Sequence, residues 1–197
     1  MVIALLIAAL TFAPLAAFAS PPASAVPTRP VAADDTDRGR RLRPDGAVPR
    51  RWLEKALGRS PTVQRLAARI EESDVIVYLD VQLNLPPRLA AMLTFMAATP
   101  TRRIVRATLR RDLPETEAIA MIAHELQHVV EVIEHPEVRS KETLLALYER
   151  IGHPTADHGR HWDTADAVAQ GTLARLEARH GLRAGNGDDS RRATSRS

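Results

Sequence analysis

The chain has 197 residues, a formal net charge of +3 and no cysteine. Hydrophobic residues make up 45% of it and charged residues 26%, the balance of a globular protein with one core. That excludes a mainly disordered, collagen-like or multi-span membrane chain. Without cysteine there are no disulfide staples, thiolate metal sites or cysteine nucleophile, so any metal must be held by His, Asp or Glu. The basic excess, almost all arginine, lies in the flanks at 29–51 and 184–197. Few aromatics and no recognition motif accompany it, so it reads as a solvated surface and no nucleic-acid partner is expected.

Residues 1–19 carry no charge and close on Ala17-Phe18-Ala19, the small-x-small pattern of a secretory signal. A second cleavage site is Ala23-Ser24-Ala25. A charged leading region is missing, and an apolar run of about 18 residues is long enough to remain as a membrane anchor if uncleaved. In either case the rest of the chain is expected outside the cytoplasm, periplasmic or extracellular, touching membrane only through this segment. Residues 20–49 are rich in Pro, Ala, Asp and Arg without an apolar period and read as a disordered linker. The polar run 184–197 reads as a disordered tail, which leaves 50–183 as one domain without internal repeats.

Along that domain, Arg51 to Leu57 and Pro61 to Ser73 read as helical. Ser60 suits an N-cap, Pro61 the first helical position, and Val63, Leu66, Ala67 and Ile70 recur at three and four. Val75 to Val81 is a β-branched run that suits a buried strand. Met92 to Ala98 and Arg103 to Leu109 form two more strands. In the last, Val105, Ala107 and Leu109 share one face and Arg106, Thr108 and Arg110 the other, which places it near an edge or a cleft. Pro114 opens a helix that Pro136 stops, apolar around most of its circumference and therefore central and buried. Ser140 caps a helix to Arg150 ending at Gly152, and a last helix runs from about Trp162 to His180, ending at Gly181. Gly152 to His161 is a His-rich loop. The fold class expected is α+β, with a small three-stranded sheet packed on the central helix and further helices around it.

The polar residues of that central helix are the informative ones: His124-Glu125-Leu126-Gln127-His128, the H-E-x-x-H pattern. Residues four apart lie one helical turn above each other, so both imidazoles can close on a single Zn²⁺. Glu125 stands one residue further round, able to reach a water on the metal without ligating the metal. Three polar groups in an otherwise apolar helix need partners, and a metal satisfies all three. Glu131, one turn past His128, falls on the ligand face and can hold an imidazole N–H. His135, His153 and His180 sit near helix ends, with capping or surface roles.

On this motif the chain resembles the zincin metallopeptidases, over about residues 60–180. The resemblance implies a minimal zincin domain with His124 and His128 as zinc ligands. It also implies Glu125 as the general base that activates water for attack on a peptide carbonyl, and a peptide or protein substrate. The third ligand differs between zincin clans. A metzincin needs Gly at 131 and His at 134, where this chain has Glu131 and Glu134, with His135 one place late. A gluzincin takes a Glu from a following helix, for which Glu149 is spaced. The stretch Trp162 to Ala167 resembles an acidic-x-x-small-small stretch in a group of small bacterial proteins that share the His-Glu-Leu-Gln-His helix, and it offers Asp163. Asp163 is the preferred third ligand, Glu149 the next, and His158 and His161 the outsiders. The competing class is a non-catalytic metal-binding or structural protein whose site is closed by a fourth ligand from the His-rich loop.

Overall fold

The computed structural model describes residues 39–85, 89–154 and 162–194, with side chains to residue 180. The chain divides into Met1–Pro30 and Val31–Ser197, and every described residue belongs to the second unit. The N-terminal apolar segment with both cleavage sites, and His158 and His161 of the His-rich loop, lie outside the described residues. Among the described residues no helix is long and apolar enough to cross a membrane.

The fold is α+β, as expected. Strands β1 (Leu42–Pro44), β2 (Val75–Gln82), β3 (Ala91–Thr99) and β4 (Arg102–Arg110) form a mixed sheet in the order β1-β2-β4-β3. The first two and β4 run parallel, and β3 is antiparallel to β4. Helices α1 (Ala47–Arg59), α2 (Pro61–Glu71) and α3 (Glu115–Glu134) contribute to the same core. Then come α4 (Lys141–Ile151), a two-residue antiparallel pair β5 (His153–Pro154) and β6 (Trp162–Asp163), and α5 (Ala165–Thr194). Val75, Val77 and Leu79 of β2, Val105, Ala107 and Leu109 of β4, and Phe95 of β3 pack with Leu66 and Ile70 of α2 and Ile122, Leu126 and Val129 of α3.

Local sequence explains the ends of several elements. Ser60 accepts the Val63 N–H ahead of Pro61, and Ser140 and Thr143 form a reciprocal capping box that starts α4. At the C-terminal end of α3, two carbonyls that take backbone N–H groups also accept from a side chain outside the helix. Arg103, 1% exposed, donates through Nη1 to the Val132 and His135 carbonyls at 2.5 and 2.9 Å. Its other two nitrogens grip the Asp74 carboxylate.

Four expectations need correction. The sheet has four strands, because Leu42–Pro44 pairs with β2 and Leu42 is buried; this strand and the start of α1 fall inside the stretch assigned to the linker. A three-residue strand is too short to show an apolar period. β4 is not at an edge but between β2 and β3. Its alternation reports correctly which face is buried, but lateral pairing uses the backbone and leaves no mark on that pattern. Of its arginines, Arg103 is buried, Arg106 faces Asp45 and Asp80, and Arg110 pairs with Asp112. Finally, α5 begins at Ala165, with Trp162 and Asp163 in β6, and continues through Gly181 into the assigned tail. Glycine permits helical backbone as readily as a stop, and no proline intervenes.

Candidate metal centre

His124 and His128 project from the same side of α3, their ring centroids 4.8 Å apart and their planes 81° from parallel. Asp163 reaches them from β6. Its Oδ1 lies 3.4 Å from His124 Nε2 and 3.8 Å from His128 Nε2. One ligand atom from each of the three lies within 4.8 Å of the others, so the group can hold a metal ion.

The His128 imidazole is held from behind. His128 Nδ1 meets Glu131 Oε2 at 2.8 Å, and the other Glu131 oxygen accepts the Thr164 hydroxyl at 2.6 Å. Thr164 in turn donates its backbone N–H to Asp163 Oδ1 and accepts the Ala167 N–H, capping α5. Glu131 therefore ties the His128 ring to the residue next to Asp163. Tyr148 packs edge-on against His128, its ring centroid 5.2 Å away, and its hydroxyl donates to the His128 carbonyl at 3.4 Å.

Burial and charge act differently on these groups. Burial, reinforced by the neighbouring His128, lowers the His124 pKa below that of an ordinary imidazole. Burial pulls His128 the same way, but the Glu131 hydrogen bond and the surrounding carboxylates carry it above the ordinary value. Glu125 is 3% exposed, and its Oε2 has no hydrogen-bond partner among the described residues. Its burial, opposed by His128 and assisted by Asp163 and Glu131, raises the carboxyl pKa to about 7. Burial likewise pushes the Tyr148 phenol upward.

Of the residues singled out in the sequence, His124, Glu125, His128, Glu131 and Asp163 come together here. Glu149 does not. The buried side of α4 is Leu144, Leu147 and Tyr148, so Glu149 points outward and is exposed. His153 lies across the ladder from Asp163 and is exposed, and His135 binds Glu137 at the surface. Sequence reasoning missed Tyr148 and Thr164. Thr164 follows an acidic residue and precedes a helix, an N-cap signal that was available. No family model, characterised protein or solved structure matches the chain.

Proposed function

We propose that the protein is an exported, zinc-dependent peptide-bond hydrolase of the zincin type, with His124, His128 and Asp163 as zinc ligands and Glu125 as general base. The observation that carries this reading is the convergence of two imidazoles of α3 and a carboxylate of β6 beside a buried carboxyl, one oxygen of which has no hydrogen-bond partner among the described residues. Two nitrogen donors and one oxygen donor, with no thiolate, match the ligand sets of catalytic zinc sites. When bound, zinc supplies Lewis acidity that polarises a carbonyl and acidifies water.

The chain's own residues supply the rest. Glu125, with a pKa of about 7, can take up or release a proton near neutrality, the optimum for a general base that later acts as an acid. Glu131 fixes the proton of His128 on Nδ1 and leaves Nε2 free for the metal. β3 is an edge strand, and such an edge can pair with an extended peptide.

The purified protein is expected to carry one equivalent of zinc, lost in His124→Ala and in His128→Ala and retained in Glu125→Gln. Hydrolysis of a peptide library should fall at least about a hundredfold in Glu125→Gln. Full zinc in the histidine variants would overturn the site. Zinc bound without any hydrolysis by the wild type would leave the closed, non-catalytic class in its place.

A further inference from the structure

We infer that Gly171 is a positioning residue for this centre, holding α5 close enough to α3 to fix where the His124 imidazole stands. The inference rests on the metal reading above and adds a residue that no ligand motif contains. The face of α5 turned to α3 is Ala167, Gly171, Ala174 and Ala178, all buried. Three of the four tolerate a methyl group. At position 171 an added Cβ would stand 3.2 Å from the Ala120 carbonyl oxygen and 3.3 Å from His124 Cβ, with His124 Nδ1 at 3.7 Å. Two of those three atoms belong to the ligand residue itself, so the strain of any side chain at 171 would fall on His124 and on the Ala120 carbonyl one turn before it.

The same close approach orients the ring. His124 Nδ1 is the ring nitrogen on the α5 side, 3.7 Å from where a Cβ at 171 would stand. The opposite nitrogen, Nε2, then faces Asp163 Oδ1 at 3.4 Å. Because Thr164 caps α5 and binds Glu131, outward movement of α5 would also loosen the support of His128 and the neighbour of Asp163. Gly152 closes the other side: a Cβ there would meet the Asp163 and Tyr148 carbonyl oxygens at 2.8 Å. One methyl at 171 should therefore be felt at all three ligands.

The test compares Gly171→Ala with Gly58→Ala, where an added Cβ meets nothing within 4 Å, and with Ala174→Ser, which crowds the same helix pair away from His124. Zinc affinity is measured by chelator competition, ligand geometry from the visible spectrum of the Co²⁺-loaded protein, and folding by circular dichroism. Gly171→Ala is expected to stay folded, bind zinc at least tenfold more weakly and show a changed Co²⁺ spectrum, with both controls like the wild type. Unchanged affinity and spectrum in Gly171→Ala would overturn the inference. So would an equal loss in Ala174→Ser, or a Gly171→Ala protein that fails to fold while Ala174→Ser folds, since either assigns the glycine to packing alone. A wild type that takes up neither metal would overturn the metal reading itself, an outcome distinct from all of these.

Discussion

Glu125 is buried in an apolar helix with one oxygen unpartnered among the described residues, a state that costs about 1–3 kcal/mol. Methionine has similar volume and no polar atom to satisfy. Glu125→Met is therefore expected to stabilise the metal-free protein by about 1–2 kcal/mol in urea unfolding while removing hydrolysis. Thr164→Val keeps shape and deletes the hydroxyl that Glu131 accepts. Zinc affinity should fall about tenfold by chelator competition, the usual effect of losing such support. Asp163→Ala should lose bound zinc and Glu149→Ala should retain it all, as metal analysis would show. The choice between those two was partly legible. Leu144, Leu147 and Tyr148 recur at three and four, and that phase turns position 149 outward by about 100°. What the sequence could not show is that a two-residue strand, with no pattern of its own, would swing Asp163 onto α3.

At the scale of elements, the motif helix is fixed at its C-terminal end by one side chain. Arg103 binds the Val132 carbonyl of α3, the carbonyl of the cap residue His135 and Asp74 together. Arg103→Ala is expected to cost about 2–3 kcal/mol in urea unfolding, because the Asp74 carboxylate loses its charged partner while the two carbonyls lose a buried side-chain donor and keep only their backbone N–H partners. The Arg103 hydrogen bond, opposed by partial burial, lowers the Asp74 pKa below its ordinary 3.8. A carboxyl with a depressed folded-state pKa contributes stability that is present above 3.8 and lost as the pH falls through the folded value. Acid unfolding below pH 3.8 should accordingly be less steep in Asp74→Asn than in the wild type, followed by circular dichroism. The elements themselves were mostly legible: α2, β2, α3 and α4 have strong periods and caps in the sequence. Arg103 was legible only as a charge on a strand. That it is buried follows from β4 being central, and strand order depends on tertiary packing that alternation does not encode.

For the molecule as a whole, the α+β class follows from apolar periods of two and of three to four in one chain, whereas the parallel pairing of β2 with β4 leaves no local signal. The proposed ligands lie on α3 and on β6, 35 positions further along than His128. An ion that binds only the folded arrangement should stabilise it. Zinc at a hundred times its Kd is expected to add about 2.7 kcal/mol, or about 10 °C in Tm for a domain of this size. A chelator should reverse the shift, and His128→Ala should show none.

The β5–β6 ladder that carries Asp163 has only two rungs, His153 with Asp163 and Pro154 with Trp162, and proline offers no amide to the second. So short a pairing unzips at little cost, unlike the sheet and helices that frame it. Ion occupancy should then be written locally. Amide exchange at Trp162, Asp163 and Thr164 would slow on adding zinc, while the interior amides of α3, already shielded, would keep nearly the same protection.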